Sequence, residues 1–314
     1  MKKIIALTVL LAVVAAGIAF AVYRNTTNPD DSDKLRVTAS YYPLYEFTKH
    51  IGGEHVAVTN LTPAGADAHD YEPPARTLAQ TQDAAVFVYN GAGFEPWAEG
   101  FLQDYQGTVV DASSGITLRE GGHGHDDDED EDEEHGDEEE LDPHFWLDPV
   151  LAQQIVNNIR DGLIAADPAN RDSYTQNAAA YNAQLAQLDE EFTNGLSRCN
   201  LDTIITAHEA FSYVAHRYGF EAEAIAGLTH DAEPTPARLA ELSDHVREEG
   251  VRYIFFEQLA SPRLADTIAR ETGAETLVLD PLEGLTDEDQ EAGQDYLSVQ
   301  RQNLANLRLA LACD

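Results

Sequence analysis

The chain has 314 residues, enough for about two domains of ordinary size, and its 43 % hydrophobic and 24 % charged residues exclude wholesale disorder. Nineteen basic against 57 acidic side chains give a formal net charge of −38. Such a field repels phosphate backbones and attracts cations, which excludes nucleic-acid binding. An acid-rich surface also suits a salty habitat, so the bulk charge carries little functional weight by itself.

Residues 1–24 open with Lys2 and Lys3, run apolar from Ile4 to Val22, and end at Tyr23 and Arg24. A basic start before an apolar core is an export signal. The run is also close to the roughly 20 residues that span a bilayer, so a retained anchor is the alternative to a cleaved signal. No cysteine follows it closely to carry a lipid. Either way the body is expected outside the cytoplasm, in the periplasm or on the outer face of the membrane. Residues 25–34 read as a tether.

Short β-branched runs then alternate with helical stretches. Strands are expected at Leu35–Ser40, His55–Leu61, Ala84–Tyr89 and Thr108–Asp111, with helices at Leu44–Ile51, Ala75–Gln82 and Pro96–Asp104 between them. Another helix is expected over 149–166, with Leu151, Ile155, Ile159 and Leu163 on one stripe. Residues 35–168 thus read as an N-terminal α/β lobe with a parallel sheet. Tyr174, Ala178, Tyr181, Leu185, Leu188, Phe192 and Leu196 recur at helical spacing. This stripe predicts one long connecting helix over 169–198. Strands at Asp202–Thr206, Glu221–Ile225, Arg252–Phe256 and Glu275–Leu279, with helices near 210–218, 236–249, 262–272 and 294–311, form a second lobe over 199–314. Two (βα) lobes joined by a helix place a ligand in the cleft beyond the carboxyl ends of the strands.

Residues 119–142 break this order with Gly121-Gly122-His123-Gly124-His125, an unbroken acidic run and His135. Like charges this dense are expected to stay unpacked. His123, His125 and His135 among them make a loose accessory trap for divalent metal. Cys199 falls at the end of the connecting helix and Cys313 at the end of the last one. They are expected to pair in a disulfide, which an oxidising compartment permits.

The chemistry gathers just past strand ends. His69 lies in Gly65-Ala66-Asp67-Ala68-His69-Asp70-Tyr71-Glu72-Pro73, and His144 in Asp142-Pro143-His144-Phe145-Trp146-Leu147-Asp148-Pro149. His208 follows the fifth strand, and Asp280 opens Asp280-Pro281-Leu282 after the eighth. One loop histidine is weak evidence, because most are surface or capping residues. Three imidazoles and a carboxylate at equivalent topological positions suit Zn2+.

With these motifs, Ala210-Phe211-Ser212-Tyr213, Arg217-Tyr218-Gly219 and Glu233-Pro234, the chain from Leu35 onward resembles the zinc-specific, ZnuA-like solute-binding proteins of ABC importers. The resemblance implies two lobes on a rigid helix with Zn2+ as transported ligand between them. It implies His69, His144, His208 and Asp280 as ligands, and delivery by a monomer to a membrane permease served by a cytoplasmic ATPase, with no catalysis. Ala68 departs from the proline usual before the first histidine. His230 occupies a loop where the family rarely has histidine, and reads as solvated or as a transient ligand.

Competing readings are a manganese-binding member of the family, which would usually carry glutamate at position 208, a metal-dependent surface adhesin, and an exported zinc hydrolase. His208-Glu209 does not open an H-E-x-x-H motif, because the next histidine is His216. His50, His55, His216 and His245 lack partner motifs and read as structural. Glu257 and Glu72 are the candidates for carboxylates that orient a liganding imidazole.

Overall fold

The computed structural model describes residues 33–121, 140–229 and 234–314. The leader, most of the tether, His123, His125, His135 and His230 lie outside the described residues.

Two four-stranded parallel sheets carry the chain. The first comprises β1 (Leu35–Ala39), β2 (Val56–Asn60), β3 (Val86–Tyr89) and β4 (Thr108–Asp111), in the spatial order β2-β1-β3-β4. The second comprises β5 (Thr203–Thr206), β6 (Glu221–Ala224), β7 (Tyr253–Phe256) and β8 (Glu275–Val278), in the order β6-β5-β7-β8. Both follow the same rule: the chain steps outward once, then crosses back over its first strand. That reversal opens a crevice at the carboxyl ends of β1 and β3, and another at β5 and β7. Register is continuous from Leu35 opposite Val56 to Ala39 opposite Asn60, and from Thr203 opposite Glu221 to Thr206 opposite Ala224.

The helices form where apolar stripes and caps agree. In α1 (Tyr42–Gly52), Leu44, Phe47 and Ile51 share the buried face. α2 (Ala75–Thr81) and α3 (Ala98–Leu102) flank β3, and residues 112–148 separate β4 from the next long helix. In α4 (Pro149–Ala166), the Asp148 side chain caps the amino end, accepting the N–H groups of Val150 at 2.8 Å and Leu151 at 3.3 Å. Pro149 sits at the first helical position, where its missing N–H costs nothing.

The connecting helix α5 spans Arg171–Gly195, 25 residues or about 37 Å. Its buried stripe is Tyr174, Ala178, Tyr181, Leu185, Leu188 and Phe192. It packs on α1 and α4 on one side and on α10 (Tyr296–Ala310) on the other. One hydrophobic core therefore runs through both lobes, from Val37 and Phe47 through Leu188 to Leu307. The second sheet's outer face is covered by α7 (Pro236–Glu248) and α8 (Arg263–Thr272), through Leu242, Val246 and Ile268. α6 (Ser212–Tyr218) and the short, acidic α9 (Asp287–Glu291) complete the set among the described residues, the latter unforeseen in the sequence. Cys199 and Cys313 form a disulfide that ties the end of the connecting segment to the chain's last turn. Among the described residues no helix is long and apolar enough to cross a membrane.

The segment Asp142–Asp148 stitches the lobes together. Ser212 donates its hydroxyl to the Asp142 carboxylate, and the Tyr213 hydroxyl donates to the Asp142 carbonyl at 2.8 Å. Arg217 pairs with Asp148 at 2.5 Å. The Trp146 indole N–H reaches the Pro281 carbonyl at 2.8 Å, and Gln300 reaches the Leu147 carbonyl at 3.0 Å.

Candidate metal centre

Each lobe sends two side chains into the cleft from beyond its strand ends. His69 follows β2 and His144 follows β4 and the interrupted region; His208 follows β5 and Glu283 follows β8. One ligand atom from each lies within 4.8 Å of all the others. His144 and His208 are fully buried, and Glu283 is 3 % exposed.

The separations describe a compact polyhedron. His69 Nε2 lies 3.0 Å from His144 Nε2, which lies 3.2 Å from His208 Nε2. Glu283 Oε1 stands 3.3, 3.7 and 3.2 Å from the Nε2 atoms of His69, His144 and His208. A tetrahedral ion with donors at about 2.0–2.1 Å has donor–donor edges of about 3.3–3.4 Å. The five measured edges scatter around that length.

Second contacts fix the imidazoles. His144 Nδ1 faces Asp142 Oδ1 at 2.8 Å, and His208 Nδ1 faces Glu257 Oε1 at 2.5 Å. A carboxylate accepts, so each Nδ1 carries a proton and each Nε2 is the atom left to ligate. The two Nε2 atoms stand 3.2 Å apart, close enough to share a proton that a metal ion would displace. Glu283 Oε1 is buried without a hydrogen-bond partner of good geometry, although three imidazoles surround it. Buried polar atoms are seldom left so. The cluster is shaped for a cation.

Titration follows the same geometry. Burial lowers the His144 pKa against the opposing pull of Asp142, which keeps the ring neutral and ready to ligate. For His208 burial also works downward, but Glu257 and Glu283 outweigh it and raise the ring well above the ordinary range. Burial alone would raise Glu283; the nearby His69 and His208 instead hold it well below the usual carboxylate range.

Aromatic walls close the site. The Phe94 ring stands 4.6 Å from that of His69 at 65°, and Trp146 lies 5.1 Å from His144. A cavity of about 250 Å³ adjoins His69, lined by Ala92, Gly93, Phe94, Leu141 and Leu228.

The three histidines expected from the sequence are thus together, whereas Asp280 is not in the cluster. Its carboxylate accepts the Leu282 N–H at 2.7 Å, and Asn303 clasps its backbone N–H and carbonyl at 2.9 and 2.7 Å. Asp280 shapes the loop, in which Leu282 takes a left-handed φ of 59° and Glu283 is carried to the imidazoles. Burial pushes the Asp280 carboxyl up to about 7. Glu283 was legible only as an acid between Leu282 and Gly284, in a loop leaving a strand. Glu257 occupies the orienting role; Glu72 is exposed. Elsewhere His50 pairs with Glu46 at 2.9 Å and stacks on Tyr181, His55 packs edge-on against Tyr174, and His245 bonds Glu223.

The family profile described as zinc-uptake complex component A, periplasmic (ZnuA), matches residues 37–310. The zinc-binding lipoprotein AdcA of Streptococcus pneumoniae R6 is 41 % identical over 278 residues, which cover 88 % of this chain and 55 % of that protein. The chain therefore spans about half the length of that relative. The high-affinity zinc uptake system protein ZnuA of Bacillus subtilis 168 is 43 % identical over 285 residues, 89 % of this chain and 88 % of the relative. Among solved structures, the Zn(II)-bound ZnuA-like domain of Streptococcus pneumoniae AdcA superposes with a TM-score of 0.75 at 39 % identity, covering 88 % of this chain and 99 % of that domain.

Proposed function

This chain belongs to the ZnuA family, and from that premise we propose that it captures Zn2+ outside the cytoplasm and hands it to the permease of an ABC importer. His69, His144, His208 and Glu283 hold the ion, with Glu283 rather than Asp280 as the fourth donor. The observation that carries this reading is the convergence of three Nε2 atoms and one buried, unpartnered carboxylate oxygen at the edge lengths of a zinc tetrahedron. Three neutral imidazoles and one carboxylate leave a zinc site with one net positive charge. The buried carboxylates of Asp142 and Glu257 behind the rings offset it.

The donor set favours zinc over manganese, which prefers more oxygen and more ligands than three imidazoles and one carboxylate supply. Four protein donors complete a tetrahedral shell, so no position remains for the bound water that a zinc hydrolase would activate. The protein is therefore a carrier and not an enzyme. Residues 1–24 export it, as a cleaved signal or as an anchor. It works as a monomer, presenting the loaded cleft to the permease, whose cytoplasmic ATPase supplies the driving energy. The site lies between lobes, so the ion links them and binding stabilises the fold by mass action.

The test is to offer the purified, metal-stripped chain an equimolar mixture of Zn2+ and Mn2+ and identify the retained ion by native mass spectrometry. One zinc per chain is expected, abolished in His208→Ala. Retained manganese, or zinc retained equally by His208→Ala, would refute the assignment.

A further inference from the structure

Beyond the ligands and the carboxylates behind them, Glu95 is a buried acid that the site does not use. Glu95 is 8 % exposed and touches none of the four donors. It closes the turn that follows β3. Gly91, Ala92 and Gly93 take successive left-handed φ values of 78°, 52° and 80°, a run that an alanine adopts only under constraint. A backbone turned this way can aim its N–H groups inward as a small anion-binding concavity. The acceptor here is the chain's own carboxyl: Asn90 N–H donates to Glu95 Oε1 at 2.7 Å, and Gly91 N–H to Oε2 at 3.2 Å. The Ser40 hydroxyl adds a third bond at 2.6 Å.

The turn bears directly on the site. The Asn90 side chain is clasped between the Tyr41 hydroxyl at 2.9 Å and the Pro143 carbonyl at 3.0 Å, beside His144. Ala92, Gly93 and Phe94 line the cavity next to His69, and Phe94 packs edge-on against the His69 ring. His69 is the donor residue that lines this cavity, while His144 and His208 are fully buried. Of the two spaces that reach the donors, His69 thus borders the larger and Glu283 the much smaller.

We propose that Glu95 is a positioning residue for zinc exchange: by stapling the Asn90–Glu95 turn it holds Phe94 against His69 and sets how fast that imidazole releases the ion. Exchanging the carboxylate for an amide puts an NH2 group where one acceptor oxygen stood, so one of the two buried N–H groups loses its acceptor and Ala92 loses part of its constraint. The turn relaxes, Phe94 withdraws, and the His69 ring is free to swing. This inference rests on the zinc reading above.

The experiment loads the full chain with zinc and follows release into excess chelator by stopped flow, with association measured against a fluorescent zinc indicator. Glu95→Gln is expected to raise the dissociation rate at least tenfold. It should raise the association rate as well, so that affinity falls by less than dissociation accelerates. Phe94→Leu should reproduce both changes with Glu95 intact, and it carries the test if Glu95→Gln does not fold. Phe101→Leu, in the same lobe's separate cluster with Phe87, should leave both rates unchanged. A folded Glu95→Gln or Phe94→Leu within twofold of the parent, or Phe101→Leu equally accelerated, overturns the inference alone. A parent chain that takes up no zinc overturns the zinc reading and this inference with it.

Discussion

Glu257 is the sharpest place to perturb the site without touching a ligand. Its carboxylate lies 2.5 Å from His208 Nδ1 and is 4 % exposed, so nothing but protein can replace it. Loss of such an orienting carboxylate typically lowers metal affinity by about 10- to 100-fold, or about 1.4–2.7 kcal/mol. Glu257→Gln retains an amide oxygen that can accept the Nδ1 proton, so the ring keeps its tautomer and loses only the charge behind it. That variant should fall near the tenfold end. Glu257→Ala leaves the buried Nδ1–H unpaired and the ring unsupported, and should approach a hundredfold.

The pH dependence has a definite sign. Glu257 helps hold the His208 pKa above its ordinary value, and zinc must displace that proton. In the parent, affinity therefore climbs with pH until His208 is neutral. In Glu257→Gln the ring deprotonates earlier, which relieves competition at low pH. The gap between parent and variant should narrow as pH falls and widen as it rises. Competitive titration against a chelator at several pH values measures both effects. Affinity within twofold of the parent in Glu257→Ala, or a gap that widens as pH falls, would contradict the orienting role of Glu257.

Four further outcomes are expected. Glu283→Gln should cost zinc affinity at least as much as Glu257→Ala, whereas Asp280→Asn, which can still accept the Leu282 N–H, should cost far less; chelator competition on both decides the fourth donor. Calorimetry near pH 7 in buffers of different ionisation enthalpy should find about one proton released per zinc from His208, and none released would contradict the raised pKa. Replacing residues 122–139 by a short turn should leave one tight zinc site, because Gly121 N–H already meets the Glu140 carbonyl at 2.8 Å and the four clustered donors all lie outside that segment; loss of the tight site on calorimetry would count against this. Cys199→Ser with Cys313→Ser opens a loop of 114 residues. The chain-entropy estimate of about 5 kcal/mol lost is an upper figure, and a denaturation midpoint unchanged in the double variant would show that the bridge contributes nothing.

Most of the fold was legible because local signals agreed with tertiary demand. The β-branched runs became strands within a residue or two at each end, and Asp148-Pro149 marked a helix start that the cap hydrogen bonds explain. The tyrosine and leucine stripe from Tyr174 to Phe192 is the buried face of the connecting helix. Three of the four clustered side chains were legible because each is a histidine in a loop, His69 and His208 after strands and His144 just before the Asp148-Pro149 helix start. The fourth was not. Asp280 and Glu283 lie three residues apart in one loop, and both types ligate zinc. Which of them faces the imidazoles depends on the left-handed turn at Leu282 and on the clasp of Asn303 from α10, and no spacing rule carries that information. The Glu95 turn was equally hidden, because its strain sits on an alanine between two glycines rather than on a recognisable motif.

The proposed zinc site, three imidazoles and Glu283 between the lobes, is open to direct observation. A crystal structure of the zinc-loaded chain, with anomalous scattering collected on both sides of the zinc edge, tests it most directly. One strong anomalous peak is expected among His69 Nε2, His144 Nε2, His208 Nε2 and a Glu283 carboxylate oxygen, at about 2.0–2.2 Å from each. A peak bound by Asp280 in place of Glu283, a peak missing one of the imidazoles, or no peak in the cleft would contradict it.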